Sequence, residues 1–256
     1  MNKETVMPPR IQRHEKIIAL VREHGFMPID TLARELDVTP QTIRRDINLL
    51  CEENILRRYH GGAALGESLE NEDFLSQKNK LQSEKAHLAD LVAAHIPDNA
   101  SLFMSIGTTI EAVAMALVKN HKNLCIITNN IHVAAIVSGR NDYTVIITSG
   151  VVRPVDGGVT GVATVDFINQ FKVDYAVLSA SGIEPDGSLL DFDYKEVSVM
   201  QAMMENARTR YLAADQRKMS RNALVRMGDI TEFDVVFADE APSDAIRKKL
   251  DEAGVE

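Results

Sequence analysis

The stretch TPQTIRRD, residues 39–46, decides how the front of this chain is interpreted. Its first two residues, a threonine and a proline, suit the N-cap and the first position of a helix. Ile43, Ile47 and Leu50 then recur at the spacing of one buried helical face. The pattern therefore predicts a helix that begins at residue 40 and keeps two adjacent arginines off its buried side.

Two further helices and a hairpin complete the predicted front unit. A first helix ends at Gly25 and a second follows Pro28. Their expected inward residues are Ile11, Ile17, Ile18 and Val21 in the first and Leu32, Ala33 and Leu36 in the second. The run ILRRYHGGA at 55–63 indicates a short basic strand and a turn. Two helices joined by a tight turn and followed by a basic hairpin form a winged helix-turn-helix, which we expect over residues 10–65.

The charge distribution allows this unit to bind nucleic acid although the chain is acidic. The formal net charge is -9 at pH 7, but residues 1–66 hold 10 Lys and Arg against 9 Asp and Glu. Binding to DNA needs a local basic patch rather than a basic protein. The acidic total therefore does not exclude DNA as a partner of the front unit.

The predicted helix and hairpin carry side chains suited to DNA. A major groove admits one α-helix, and arginine can bond bidentately to a guanine edge. The expected DNA-contacting residues are Thr39, Gln41, Thr42, Arg44, Arg45, Asn48, Arg57, Arg58, His60 and Gly61. The alternative is that the Arg-Arg-Asp triplet is a solvated helix face on which Asp46 partly compensates the charge. The helix cap, the buried stripe and the basic hairpin together favour DNA.

A polar segment at residues 66–80 predicts a linker to a second domain over residues 81–256. That domain opens with a helix over residues 84–95, for which Ser83 is the expected cap. Strand-like runs are expected at 101–106, 124–129, 143–149, 174–180, 209–214 and 234–239. Helical patterns lie between them near 110–118, 131–138, 162–170 and 193–207. Such alternation predicts an α/β domain with a largely parallel sheet covered by helices on both faces.

Polar residues and glycines at the predicted strand ends indicate a phosphate site. The run SIGTT at 105–109 ends a strand and opens a helix, whose N-terminal N–H groups can bind a phosphate. Residues 157–161 are expected to form a flexible glycine loop nearby. Because ligands of open α/β sheets bind at the carboxyl ends of strands, these segments are expected to converge. The expected effector-binding residues are Ser105, Gly107, Thr108, Thr109, Asn129, Asn130, Gly158, Gly161, Glu196, Asp215 and Lys218.

Structural explanations stay open for several of these residues. A threonine can simply cap a helix after a glycine turn, and Lys218 can be a solvated loop lysine. Acids such as Glu196 at the start of a helix also complement its dipole.

The motifs of both parts resemble the DeoR family of bacterial transcriptional repressors. TPQTIRRD at 39–46 and RRYHGGA at 57–63 carry the resemblance in the front unit. DGG at 156–158, DFI at 166–168 and SLLDFDY at 188–194 extend it through the rest of the chain.

The resemblance implies a cytoplasmic repressor that binds a double-stranded DNA operator as a homo-oligomer, either a dimer or a tetramer. It implies an α/β sensor domain similar in fold to ribose-5-phosphate isomerase. A phosphorylated three-carbon polyol, sn-glycerol 3-phosphate, is the implied effector that releases the operator. No cofactor, metal or membrane association is expected, and no run approaches the roughly 20 apolar residues of a membrane span.

The related isomerase fold makes an enzyme the main alternative function. Those isomerases carry Asp-Gly-Ala-Asp-Glu and then a glycine-rich segment with a catalytic lysine. Here the corresponding regions are SASGIE at 179–184 and LDFDY at 190–194, without the paired aspartates or the glycine-rich lysine segment. We therefore expect a regulator rather than an enzyme. An isomerase-like enzyme with an appended DNA-binding domain and an architectural protein remain as alternatives.

Overall fold

The computed structural model describes residues 9–52, 55–59, 61–65, 82–154, 156–219, 221 and 223–256. Contacts between Cα atoms divide the chain into two units, residues 1–73 and 74–256. The predicted linker at 66–80 and His60 lie outside the described residues. Within the described part of the chain, no helix is both long and apolar enough to cross a membrane.

The first unit is a winged helix-turn-helix, which confirms the prediction. Its elements are α1 (Pro9–His24), β1 (Phe26–Pro28), α2 (Ile29–Glu35), α3 (Pro40–Glu52), β2 (Leu56–Tyr59) and β3 (Gly62–Leu65). The three strands form an antiparallel sheet in the order β1-β3-β2. The pairing of β1 with β3 was not predicted, because three residues are too few to show alternating hydrophobicity.

The core of this unit follows the predicted helical stripe. Ile43, Ile47 and Leu50 are almost completely buried, together with Ile17 of α1. The prediction for Ile11 is wrong, since 47% of it is exposed. At 3.6 residues per turn, a residue six positions before Ile17 lies about 120° around the helix from it, away from the core.

The second unit is built on six parallel strands. They are β4 (Ser101–Met104), β5 (Cys125–Thr128), β6 (Thr144–Ile147), β9 (Val173–Leu178), β12 (Ala207–Ala214) and β14 (Val235–Ala238). Their order in the sheet is β14-β12-β9-β4-β5-β6. All six predicted strands are present and parallel, which confirms the α/β fold class.

Helices cover both faces of this sheet. The helices of the unit are α4 (Gln82–Ala94), α5 (Thr108–Asn120), α6 (Ile131–Val137), α7 (Val162–Ile168), α8 (Tyr194–Glu205) and α9 (Asp244–Ala253). Apolar residues of α4, α5 and α6 form one core, and those of α7, α8 and α9 form the other. Ser83 lies inside α4, which already includes Gln82, so its predicted role as the N-cap is wrong.

Short elements complete the second unit. β7 (Val151–Val152) pairs with β8 (Val159–Thr160). A small antiparallel sheet contains β10 (Gly182–Ile183), β11 (Ser188–Asp191) and β13 (Val225–Asp229). These strands and α9 were not predicted. β11, for example, is buried at every position, so it lacks the alternation of a half-buried strand.

The strand order fixes where a crevice can form. The chain passes from β4 to β5 and β6 on one side, and later places β9, β12 and β14 on the other. The direction in which successive strands are added to the sheet therefore reverses between β4 and β9. Ligands of open α/β sheets bind beyond the carboxyl ends of the strands at such a switch point.

Candidate functional site

The start of α3 is fixed by the threonine that precedes it. The Thr39 hydroxyl accepts a hydrogen bond of 3.3 Å from the Thr42 backbone N–H. The two hydroxyls, Thr39 Oγ1 and Thr42 Oγ1, also lie 3.0 Å apart. Thr39 therefore acts as the expected N-cap, and both hydroxyls are engaged within the helix terminus.

The outer face of α3 presents the predicted polar side chains. Gln41, Arg44, Arg45 and Asn48 are exposed, whereas Thr42 is half-buried. Neither arginine makes an ion pair with another residue that the structure describes. Their guanidinium groups are accessible to a negatively charged partner.

Asp46 does not belong to this outer face. It is only 3% exposed, and its Oδ2 accepts a hydrogen bond of 2.6 Å from Arg13 Nε of α1. His14 Nε2 lies 3.1 Å from Asp46 Oδ1. Burial alone would raise the pKa of Asp46, but hydrogen bonds from Arg13 and His14 outweigh it and lower that pKa. The alternative of a solvated Arg-Arg-Asp face is thus wrong for Asp46, which ties α3 to α1.

The hairpin of β2 and β3 is linked to α3 by a hydrogen bond between two residues that were separately predicted to contact DNA. Arg58 Nη1 donates a hydrogen bond of 3.0 Å to Asn48 Oδ1. Arg57 is half-buried beside it. Gly61 turns the chain with φ 85, and its carbonyl accepts a hydrogen bond of 2.9 Å from the Ile29 N–H. The described residues of this hairpin, which we call the wing, therefore lie next to the exposed face of α3.

In the second unit, the predicted run SIGTT lies at the switch point. Gly107 has φ 131, a conformation that side chains rarely adopt, and it precedes α5 without a side-chain cap. A Cβ built at Gly107 would meet no atom within 4 Å, so the space there is open. Ser105 and Thr109 are buried, and Thr108 is half-buried. The first turn of α5 is therefore open to an anion.

Lys85, on α4, is a candidate site residue that was not predicted from the sequence. It is 4% exposed, its Nζ donates a hydrogen bond to Thr108 Oγ1, and it lies 3.8 Å from Asp215 Oδ2. Burial and the positive charge of Lys218 lower the pKa of Lys85 to about 8. A buried cation is thus placed beside the N-terminus of α5.

A signal for Lys85 exists in the sequence. It precedes Leu88, Ala89 and Val92 by three, four and seven residues, and those three residues are all buried. A lysine on the buried face of an amphipathic helix needs a partner, since a buried charge is costly without one.

Asp215 and Lys218 follow the end of β12. Asp215 Oδ1 accepts hydrogen bonds of 3.2 Å from the Arg217 backbone N–H and Nε. Burial would raise the pKa of Asp215, but Lys218 and Lys85 lower it. Lys218 Nζ donates a hydrogen bond of 2.6 Å to the carbonyl of Ala180, just beyond β9. Lys218 is therefore part of the crevice and is not a solvated loop lysine.

A carboxylate cluster surrounds Arg153, in the loop between β7 and β8. Its Nε donates to Asp156 Oδ1 at 2.9 Å, and its Nη1 lies 3.2 Å from Asp193 Oδ2. Its Nη2 donates to Glu196 Oε2. Glu196, in the first turn of α8, is thus held by a hydrogen bond from Arg153 in addition to any interaction with the helix dipole.

Asp191, the last residue of β11, adds a further buried carboxylate. Its Oδ2 accepts a hydrogen bond of 2.8 Å from Ser181 Oγ, and its Oδ1 accepts one of 2.7 Å from the Phe192 N–H. Burial raises the pKa of Asp191. Burial and the negative charge of Asp191 together raise the pKa of Glu196 to about 8. Among the described residues, no group of three or more His, Cys, Asp and Glu is placed to hold a metal ion.

The two asparagines after β5 differ in what they do. Asn130 Oδ1 accepts hydrogen bonds from the His132 and Val133 N–H groups and so caps α6. Asn129 Nδ2 donates to the Val159 carbonyl at 3.0 Å. Asn129 Oδ1 and Asn130 Nδ2 are buried and have no partner in the described structure. An unsatisfied buried group costs about 1–3 kcal/mol, so each can gain by binding a ligand.

The expected flexible glycine loop is closely packed at Gly158. A Cβ on Gly158 would lie 2.2 Å from Ile106 Cδ1, and the Gly158 N–H donates to Asp156 Oδ1 at 3.0 Å. Gly161 starts α7 with φ 118. No hydrogen bond links Gly161 to Lys85 or Lys218 within the described residues. Both glycines therefore shape the backbone around the crevice.

Two sequence families match the chain in succession. The family described as DeoR-like helix-turn-helix domain matches residues 13–68. The family described as DeoR C terminal sensor domain matches residues 80–240.

Similar proteins include two curated repressors. The glycerol-3-phosphate regulon repressor of Escherichia coli (strain K12) is 46% identical over 239 residues, which cover 93% of this chain and 94% of that protein. The protein of the same name in Haemophilus influenzae is 45% identical over 230 residues, which cover 90% of this chain and 89% of that protein. Among solved structures, ribose 5-phosphate isomerase from Plasmodium falciparum aligns with a TM-score of 0.39 and 12% identity, covering 54% of this chain and 53% of that one.

Proposed function

The chain belongs to the DeoR family of transcriptional regulators, and we propose that it is a DNA-binding repressor of glycerol 3-phosphate metabolism genes. A phosphorylated small molecule, sn-glycerol 3-phosphate, releases it from its operator. The repressor acts in the cytoplasm as a homo-oligomer, a dimer or a tetramer. The relatives that are named glycerol-3-phosphate regulon repressors support the choice of regulon and effector.

The DNA-binding part of this proposal rests on one observation, that α3 has one buried face and one exposed face. Ile43 and Ile47 are buried, while Arg44 and Arg45 are exposed and make no ion pair with another described residue. In this proposal α3 enters the major groove and the two arginines contact base edges or phosphates. The wing, fixed to α3 through the bond between Arg58 and Asn48, contacts the phosphate backbone.

The effector-binding part of the proposal rests on the crevice at the switch point between β4 and β9. The open N-terminus of α5 offers backbone N–H groups to a phosphate, and Thr108 and Thr109 add hydroxyls. Lys85 and Lys218 both lie close enough to Asp215 to lower its pKa, and both supply positive charge. We place the phosphate of the effector at this end of the crevice.

Release of the operator requires that the effector prefer one state of the protein. A ligand shifts an equilibrium only by its difference in affinity for the two states. In the proposed mechanism, two recognition helices of the oligomer meet half-sites about one helical turn apart. The effector-bound state holds those helices in an arrangement that fits the operator poorly.

Footprinting of promoter DNA from glycerol 3-phosphate genes of the source genome tests this function. The purified protein should protect a short palindromic region, and sn-glycerol 3-phosphate should remove the protection. Glycerol, which lacks the phosphate, is the control and should have no effect. No protected region in any of these promoters would contradict the proposed regulon.

An activity assay decides whether the chain also has the enzymatic function that its fold could support. Purified protein is incubated with ribose 5-phosphate, and ribulose 5-phosphate is measured. The absence of turnover agrees with a regulator, whereas turnover would contradict the pure-repressor function.

A further inference from the structure

The two edges of the parallel sheet in the second unit differ in whether the chain covers them. At β14, the Val236 N–H donates a hydrogen bond of 2.8 Å to the carbonyl of Glu256, and the Glu256 N–H donates one of 3.1 Å to the carbonyl of Asp234. At the other edge, β6 pairs with β5 and with no further strand among the described residues. An uncovered edge strand is a template for pairing with another strand.

Two residues of β6 direct their backbone groups to the open edge. The Thr144 and Thr148 N–H groups donate hydrogen bonds of 2.9 and 3.0 Å to carbonyls of the segment that contains β5. Successive residues of a strand direct their N–H and C=O groups to alternate sides. The N–H and C=O groups of Val145 and Ile147 therefore point away from β5, where a second strand could bond them.

The side chains on and beside this edge do not protect it from pairing. Natural edge strands are commonly blunted by charged residues or proline, and β6, TVII at 144–147, contains neither. Ile147 and both residues of β7, Val151–Val152, are exposed. Val151 pairs with Thr160, two residues before the exposed Val162 of α7. Exposed apolar side chains beside an open edge favour an interface with another protein chain.

One register of pairing with a second copy satisfies these backbone groups. If the two copies run antiparallel about a two-fold axis at Ile146, Val145 of each copy lies opposite the partner's Ile147. Each of these two pairs exchanges both of its hydrogen bonds across the axis. The side chain of Ile147 then packs beside the partner's Val145, and the two Ile146 side chains pack against each other.

Registers with the axis one residue away meet groups that are already bonded. An axis at Val145 would place Ile147 opposite Tyr143, whose N–H already donates to a carbonyl of the preceding turn at 3.3 Å. An axis at Ile147 would place Val145 opposite Ser149, whose carbonyl already accepts a hydrogen bond of 2.7 Å from a hydroxyl of α7. The axis at Ile146 avoids both conflicts.

We propose that two copies of this chain associate through β6, which joins their two six-stranded sheets into one continuous sheet. A two-fold axis uses the same surface on both subunits, and the register at Ile146 is complementary to itself. The inference rests on the proposed function only for the existence of a homo-oligomer. It names the surface through which the copies meet, and it supplies the two-fold symmetry that an operator with two half-sites requires.

A cysteine at residue 146 tests the register. Opposite residues of a non-hydrogen-bonded antiparallel pair have Cα atoms about 4.5 Å apart, a distance that a disulfide can span. Ile146→Cys should therefore form a disulfide-linked dimer under mild oxidation, measured on a non-reducing gel. Val145→Cys is the matched control, because its counterpart in the partner lies about 7 Å further along the strand. The unmodified chain reports the background from its free cysteines, Cys51 and Cys125.

Sedimentation equilibrium measures whether the edge holds the oligomer together. Ile147→Pro removes an N–H that points away from β5, so the sheet within each copy is kept while the partner loses a donor. The mass should fall by half. Ile147→Lys places a charge on the edge and should have the same effect. Leu224→Lys is the control, since Leu224 is 47% exposed and Ile147 46%, and it should keep the mass. Thermal unfolding verifies that each variant folds.

The possible results separate this inference from the proposed function. Suppose that the unmodified chain is an oligomer. The β6 interface is then wrong if both variants of Ile147 keep its mass, or if Ile146→Cys gives no more linked dimer than Val145→Cys. The proposed repressor stands in that case. If the unmodified chain is a monomer, this inference fails together with the oligomer of the proposed function, whereas operator footprinting still tests DNA binding by itself.

Discussion

Arg13 Nε of α1 lies 2.6 Å from Asp46 Oδ2 of α3, and this ion pair joins the first helix of the front unit to the helix that we assign to DNA recognition. The Arg-Arg-Asp triplet therefore divides by function. Asp46 turns inward and fixes the helix, while Arg44 and Arg45 stay on the outer face.

Replacement of this buried carboxylate should destabilise the front unit. Asp46→Asn keeps the side-chain shape but leaves Arg13 without its charged partner, which should lower the free energy of unfolding by about 1–3 kcal/mol. Urea unfolding followed by circular dichroism measures the loss. Glu15→Gln, exposed on α1, is the control and should change little. An unchanged urea midpoint in Asp46→Asn would contradict the assigned role.

At acidic pH, the Asp46→Asn variant and the unmodified chain should have the same free energy of unfolding. The pKa of Asp46 is lowered in the folded state, so its contribution to stability is complete above its unfolded pKa of about 3.9. That contribution is lost as the pH falls through the lower folded value. The two unfolding curves should therefore converge below about pH 4.

The bond between Asn48 and Arg58 should appear as coupling in operator binding. Asn48→Ala releases Arg58 from its place beside α3. Arg58→Ala should therefore cost less operator affinity in the Asn48→Ala variant than in the unmodified chain. We expect a coupling free energy of about 0.5–1 kcal/mol in a double-mutant cycle measured by fluorescence anisotropy. Strictly additive losses would show that the two side chains act independently.

The two arginines of the outer face should each contribute to operator affinity. Arg44→Ala or Arg45→Ala should cost about 1–3 kcal/mol if that arginine bonds a base edge bidentately. If the arginine instead contacts a phosphate, its removal should weaken binding about equally for all DNA sequences and reduce the salt dependence of binding. Lys248→Ala, exposed on α9, removes the same charge from the other unit and is the matched control. Unchanged affinity in both arginine variants would refute α3 as the recognition helix.

Phosphate binding should depend on pH through Lys85. Its pKa of about 8 means that the ammonium loses its proton above this value, and the attraction for a phosphate falls with it. The dissociation constant of inorganic phosphate should therefore rise by up to about tenfold per pH unit above pH 8. Lys85→Arg keeps its charge throughout and should flatten the profile. A dissociation constant of the unmodified chain that stays constant from pH 7 to pH 9.5 would exclude Lys85 from the phosphate site.

Local patterns predicted much of this fold. The stripe of Ile43, Ile47 and Leu50 located the helix that we assign to DNA recognition, because helical periodicity shows which side of a helix is buried. The six strands were found because each is a short apolar run that ends at a turn. Asn129 and Asp215 follow strand ends, so parallel topology alone brings them to one edge of the sheet.

Contacts between residues that are distant in the sequence could not be predicted. Asp46 is local in sequence to two exposed arginines, but its partner Arg13 is 33 residues away. Lys85 meets Thr108 only because α4 packs against α5, a contact that no local pattern specifies. Gly158 was expected to be mobile because it is a glycine, yet it is required for close packing against Ile106.

Release of the operator by effector is measured most directly by titrating sn-glycerol 3-phosphate into a fluorescent protein–operator complex. The anisotropy of the unmodified chain should fall to that of free DNA. Lys85→Met should bind the operator with the same affinity but should stay bound at effector concentrations that release the unmodified chain. An unmodified complex that is insensitive to glycerol 3-phosphate, or a Lys85→Met complex that dissociates equally well, would contradict sensing at this crevice.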